Sequence, residues 1–288
     1  MKYHTPVLLQ EVIDFLNPAP GDLFIDATVG GAGHTHEILK RGARVLGIDR
    51  DPEAIEHIKN QFKIRENLHL VRGNFTSIGQ IARENGFNQI NGIIFDLGVS
   101  SHQLEKAQRG FSFEKEGPLD MRMDPALTIK AYDIVNNFDQ RRLNEIFKTY
   151  GQEKYSWPIS EAICSARQIK PVETTTELAQ IVKKVIPRGV RGRYVHPATK
   201  TFLALRIVVN SELLNLQASL PQTVEILKIG GRLAVISFHS LEDGLVKRFF
   251  KQEAKLQVLT KKPIGPANQE ILENPKSRSA KLRVAERI

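Results

Sequence analysis

The chain is 288 residues long, 41% hydrophobic and 25% charged, which is enough to bury a large core in one or two domains. Its single cysteine, Cys164, excludes an intramolecular disulfide and a multi-thiolate metal site, and reads as a small core residue of an intracellular protein. The formal charge of +9 points toward a polyanionic partner.

Met1 to Asn17 holds Glu11 and Asp14 inside its apolar stretch, which a secretory leader excludes, and no later window offers about eighteen unbroken apolar residues. The expectation is a cytoplasmic chain with no membrane span. Leu23 to Thr28 is a short apolar run containing Asp26. It leads into Val29-Gly30-Gly31-Ala32-Gly33-His34 and a helical stretch closed by Gly42, so the order is strand, glycine loop, helix. Arg44 to Asp49 repeats the strand, and Asp51-Pro52-Glu53 supplies an N-cap, a proline at the first helical position and an acidic first turn. Leu68 to Val71 is a third strand, Asn74-Phe75-Thr76 opens a helix ending near Asn85-Gly86, and Ile90 to Asp96 is a fourth strand.

Strands alternating with helices predict a parallel, doubly wound sheet. The rhythm then breaks: residues 104–197 carry helical patterns and polar loops without a buried strand, and read as a helical insertion. Phe202, Leu205, Val209, Leu213 and Leu216 line one face of a long helix. Arg232 to Phe238 is a strand, Ser240-Leu241-Glu242-Asp243 fits a capping box opening a helix through Phe250, and Leu256 to Leu259 and Lys281 to Ala285 are final strands. The domain reading is 1–103 with 198–288 as one catalytic domain and 104–197 as the insertion.

A glycine loop after the first strand of such a sheet binds a nucleotide-like ligand, because the chain turns tightly at the carboxyl ends of the strands. A dinucleotide fingerprint anchored on Gly31 and Gly33 needs a glycine at position 36, where this chain has His36, which weakens the pyrophosphate reading. Asp49 ends the second strand, 23 residues after Asp26, where a carboxylate accepts both hydroxyls of a ribose. Together they favour an adenosine ligand without a diphosphate, S-adenosyl-L-methionine being the common one. Asp96-Leu97-Gly98-Val99-Ser100-Ser101 closes the fourth strand and lacks the prolines and aromatic residue that amino-methylating enzymes often carry there. Ser237-Phe238-His239-Ser240 ends the next strand, where Phe238 or His239 is a candidate to meet a splayed-out base and a helix-capping turn is the plainer alternative.

These residues add up to a resemblance over nearly the whole chain. His4 to Leu9, Gly30 to His34, Ile48 to Pro52, Asp96 to Ser101, Arg109 to Phe113, Gly117 to Asp124, His196 to Thr199 and Ile236 to Asp243 are similar to the RsmH (MraW) family. That resemblance implies a Rossmann-like class I methyltransferase with a seven-stranded doubly wound sheet. The implied reaction is transfer of the sulfonium methyl of S-adenosyl-L-methionine to the exocyclic N4 of a cytidine in the decoding region of 16S ribosomal RNA, without a metal and within the small ribosomal subunit. It places Ala32, Gly33 and His34 in the cofactor loop, Asp49 on the ribose, Phe75 against the adenine, and Asp96 and Gln103 near the methionine end. Asp96 has two open roles, acceptor for the target amino group and partner of the cofactor's ammonium group. Core packing remains the alternative for Phe75 and a solvated loop position for Gln103. Phe111, Phe113 and Arg122 read as an ordered loop over a site.

Basic residues cluster twice. From Leu178 to Ser211 no acidic residue occurs, while Lys183, Lys184, Arg188, Arg191, Arg193, Lys200 and Arg206 do; from Gly244 onward eleven Lys and Arg stand against four Asp and Glu. Their convergence on one face is the expectation for RNA phosphates. Three other readings stay open: a methyltransferase for another nucleic acid, a non-catalytic nucleic-acid-binding regulator, and a nucleotide-dependent oxidoreductase, which Asp49, Asp96 and the missing glycine disfavour.

Overall fold

A computed structural model describes residues 6–61, 66–187 and 196–288. Among them seven strands form one sheet in the order β3-β2-β1-β4-β5-β7-β6: β1 Leu23–Asp26, β2 Arg44–Asp49, β3 Leu68–Arg72, β4 Ile90–Asp96, β5 Leu227–Ser237, β6 Leu256–Val258 and β7 Lys281–Arg287. The first five run parallel, and β7 is antiparallel to both of its neighbours, so the sheet is mixed. This is the α/β, Rossmann-like order expected from the sequence.

The strands alternate their side chains between two apolar layers. Phe24, Val45, Ile94 and Ala234 meet helices α1 (Leu9–Leu16), α2 (Gly33–Lys40) and α3 (Pro52–Gln61) through Val12, Ile38 and Ile58. Ile25, Leu46, Ile93 and Val235 meet α4 (Ile78–Glu84) and two later helices through Ile78, Leu220 and Val246.

The chain divides into two compact units, residues 1–100 with 213–288, and residues 101–212. The second unit holds α5 (Ser101–Glu105), α6 (Ala131–Asn137), α7 (Gln140–Thr149), α8 (Ser156–Ile169), α9 (Thr175–Val185) and α10 (Thr199–Asn210). Leu143, Phe147, Ile159, Ile163, Leu178 and Leu205 are fully buried there. Its only strand-like pairing among the described residues is an isolated bridge between Pro118 and Thr174.

Several details differ from the sequence reading. The single long helix through Phe202 and Leu216 is two, α10 and α11 (Glu212–Ile226), because Ser211 is left-handed at φ 50° and ends the first. Packing of α10 on α6 and α7 therefore puts the return to the sheet unit at residue 213 rather than 198. The helix α12 (Ser240–Gln252) is capped by His239, whose ring accepts the Glu242 N–H, rather than by Ser240; a further short helix, α13 (Asn268–Glu273), lies in the loop before β7. Cys164 is only half-buried. His4, Thr5, Arg188, Arg191 and Arg193 lie outside the described residues, and no described helix is long and apolar enough to cross a membrane.

Candidate active site

The parallel strands β2, β1 and β4 each end in an aspartate, Asp49, Asp26 and Asp96, all at the carboxyl edge of the sheet. The chain divides its hydrogen bonds between the neighbouring strands after Asp26, the place where an open α/β sheet takes its ligands. Ala27 N–H donates to Ile94 of β4 and Val29 N–H to Ile48 of β2, each at 2.9 Å. The glycine loop lies above this split. Ala32 is left-handed at φ 59° and buried, a conformation costing an L-residue about 1–2 kcal/mol. Gly33 starts α2 directly beneath Pro6: a Cβ there would lie 2.8 Å from the proline Cβ, so only glycine lets the N-terminal segment cross.

Asp49 joins the second strand to this loop. Its Oδ2 accepts the Gly30 N–H at 2.9 Å and its Oδ1 the Asp51 N–H at 2.9 Å. Burial pushes the Asp49 carboxyl above its ordinary value, opposed by those two hydrogen bonds. Each oxygen retains a lone pair, so a vicinal diol fits as a further pair of donors. Asp51 in turn accepts the Glu53 N–H at 3.1 Å and opens α3 with Pro52, as its sequence suggests.

Asp96 is fixed through its backbone, its N–H donating to Thr28 Oγ1 at 2.7 Å. His34, second residue of α2, donates Nε2–H to the Val7 carbonyl at 3.0 Å, since a carbonyl only accepts; its Nδ1 stands 3.8 Å from Asp96 Oδ2. Beneath them Asp26 accepts from Thr35 Oγ1 at 2.7 Å and Thr28 N–H at 3.2 Å. Burial raises its pKa to about 7 against those hydrogen bonds, with the Asp96 and Asp49 charges adding to the rise.

Phe75 sits in a single 3-10 turn, Phe75–Ser77, whose Asn74 cap accepts the Thr76 N–H at 3.1 Å. The ring is half-buried with its edge on Phe95 of β4, centroids 5.4 Å apart and planes at 77°. Gln222 of α11 holds this turn from both sides, donating to the Thr76 carbonyl at 2.7 Å and accepting the Gly79 N–H at 3.2 Å. At the end of β5, Phe238 is half-buried and its ring lies against Gly98, at φ 105°, in the loop after Asp96. His239 is committed elsewhere, its Nδ1 accepting the Glu242 N–H and its Nε2 standing 3.2 Å from Glu242 Oε1.

Ala32, Gly33, His34, Asp49, Phe75 and Asp96 thus belong to the sheet unit, while Gln103 is a residue of the helical unit, buried on α5. In that unit Arg122 donates to both oxygens of Asp120 at 2.8 Å and to the carbonyls of Pro125 and Leu127. Phe113 stacks on His196, centroids 4.4 Å apart and planes at 13°. The sequence reading missed Thr28, Thr35 and Gln222. Their partners lie up to 146 residues away, and polar residues at a strand end or on a buried helix face were the only local trace.

The family model for the MraW methylase family matches residues 1–288. A protein of Halothermothrix orenii named ribosomal RNA small subunit methyltransferase H is 46% identical, covering 100% of this chain and 99% of its own length. One of the same name from Deinococcus radiodurans is 47% identical over 99% of this chain and 89% of its own. An rRNA methylase structure from Streptococcus thermophilus is 12% identical with a TM-score of 0.47, covering 96% of this chain and 95% of that one. A match running from the first residue to the last establishes that this chain belongs to the MraW methylase family.

Proposed function

We propose that this methylase transfers the methyl group of S-adenosyl-L-methionine to the exocyclic N4 of a cytidine in the decoding region of 16S ribosomal RNA, in the small subunit. Family membership and the two relatives named as small-subunit rRNA methyltransferases support the RNA substrate. The observation that carries the cofactor is Asp49, desolvated at the end of β2, bonded to the Gly30 amide and still able to accept two hydroxyls. S-adenosyl-L-methionine, when bound, supplies an electrophilic methyl on its sulfonium.

The chain's own residues then have distinct tasks. Asp49 holds the ribose, the backbone of Ala32, Gly33 and His34 borders the methionine portion, and Phe75 covers the adenine, kept in place by Phe95 and Gln222. Gln103 has the role toward the methionine end that the family resemblance implies. The cytosine N4 lone pair is delocalised into its ring, so the enzyme must orient the amino group and accept its hydrogen as the new bond forms. Asp96 is the acceptor, set by Thr28, and Phe238 beside Gly98 is the ring available to stack on the base.

The test is transfer of radiolabelled methyl to small ribosomal subunits lacking the modification, followed by nucleoside analysis. Label recovered as N4-methylcytidine, and lost in Asp49→Ala and Asp96→Ala, is the expected result. Cofactor binding without label on these subunits would overturn the substrate; label on another nucleoside would overturn the N4 assignment.

A further inference from the structure

The loop from Leu259 to Ala280, between β6 and β7, has no role in the reaction as described, and its chemistry is distinctive. Lys261, Lys262, Lys276 and Arg278 are exposed on it. Its only acidic residues are Glu270 and Glu273, and Glu270 spends Oε1 on the Leu8 N–H at 2.8 Å. Among the described residues no ion pair involves Lys261, Lys262 or Arg278. One large apolar side chain, Leu272, is exposed there, too little for the apolar core of a protein interface.

The loop is also anchored beside the reaction edge. Because β7 is antiparallel to β5, its first residue, Lys281, lies against Ser237 at the carboxyl end of β5. Ile264 and Leu282 exchange backbone hydrogen bonds at 3.0 and 2.8 Å, so the loop leaves and rejoins the sheet next to Phe238. On its other side Glu270 holds Leu8, which follows the Val7 carbonyl bonded to His34 of the cofactor helix. Leu8 itself is left-handed at φ 53° and fully buried, a strained residue kept by these contacts.

We propose that the loop between β6 and β7 is a phosphate-binding surface that grips the RNA strand flanking the target nucleotide where it passes the carboxyl end of β5. The proposal rests on the RNA reading above and adds the place at which the strand is held. Lys261, Lys262 and Arg278 each neutralise a phosphate, while the hydrogen bonds of Ile264 and Glu270 fix the loop before RNA arrives, so little ordering entropy opposes binding.

The experiment compares the full chain with Lys261→Glu/Lys262→Glu/Arg278→Glu in binding to isolated, unmodified 16S rRNA and to small subunits across a salt series, with S-adenosylhomocysteine affinity measured alongside. The expected result is unchanged S-adenosylhomocysteine affinity, an RNA Kd raised about tenfold or more, and a slope of log K against log salt smaller by about 2, at about 0.7 per single-strand phosphate. Lys261→Gln/Lys262→Gln/Arg278→Gln should lower the slope by about the same amount with a smaller rise in Kd, and stands in if charge reversal disturbs folding. Wild-type RNA binding with an unchanged variant would overturn the proposal, as would weakened binding to subunits with full affinity for isolated RNA, which assigns the loop to a ribosomal protein. A wild type that binds no RNA removes the functional reading instead.

Discussion

Three carboxylates at the ends of adjacent strands share one small volume, and their surroundings divide them. Asp49 uses both oxygens on backbone amides and remains open to a diol, so Asp49→Ala should weaken S-adenosylhomocysteine binding about a hundredfold, two charge-assisted hydrogen bonds at about 1.5 kcal/mol each. Isothermal titration reads this directly, and a loss under threefold would remove Asp49 from the ribose site. Asp26 is different: its carboxyl is enclosed, and burial carries its pKa from 3.8 to about 7. A carboxyl with a higher pKa folded than unfolded binds more protons in the folded state, so its contribution to stability is present below the lower value and is lost as pH rises through the interval. The stability of Asp26→Asn relative to wild type should therefore improve from about pH 4 to about pH 7, by up to about 1.4 kcal/mol for each unit of the shift. Urea unfolding across that range checks it; a difference independent of pH would mean that Asp26 is ionised throughout.

Helices and loops transmit these positions to the edge of the sheet. Gly33→Ala forces the α2 start against Pro6, at an expected cost of about 1–3 kcal/mol in thermal unfolding together with weaker cofactor binding. In the helical unit Arg122 ties Asp120, Pro125 and Leu127 together while buried Arg109 caps the carbonyls of Arg122 and Met123. Asp120 is buried enough to disfavour its charge, yet Arg122 holds its carboxyl below the usual carboxylate range. Arg122→Met leaves that carboxylate unpaired, and about 3 kcal/mol of destabilisation is expected by denaturant unfolding. The motif from Gly117 to Asp124 thus has a structural role within its own unit. Elements were readable where local chemistry marks them: apolar runs ending in aspartate, Pro52 after Asp51, glycines at turns. The break at Ser211 was not, since serine rarely takes a left-handed conformation and nothing adjacent signals it. Beside Ser211, Asn210 accepts the Met123 N–H at 2.7 Å, a contact between residues 87 positions apart that the local sequence does not show.

At the scale of the molecule, the sheet unit is drawn from both ends of the chain and the helical unit from its middle. The change of hydrophobic periodicity after Asp96 is the sequence's reason for an insertion over 104–197, and the compact helical unit spans residues 101–212. Periodicity alone does not assign α10 to either unit, because an amphipathic helix has the same pattern whether it packs on helices or on a sheet. The pairs that build the candidate site followed the same divide: Asp49 and the glycine loop were legible from strand–loop–helix grammar, whereas Gln222 on Thr76 required the fold. Two compact units predict a calorimetric unfolding enthalpy above the van't Hoff value; equality of the two would show a single cooperative unit.

The order of the strands also bears on how the protein is born. β7, the last in chain order of the described strands, is not an edge but sits between β5 and β6, and residues 281–287 supply the partners of both. On a translating ribosome β1 to β5 are made before residues 281–287, so β5 keeps one edge bare until β7 reaches it. Closure of the sheet therefore waits on this late strand, and a chain interrupted before residue 281 would leave β5 with an unpaired edge.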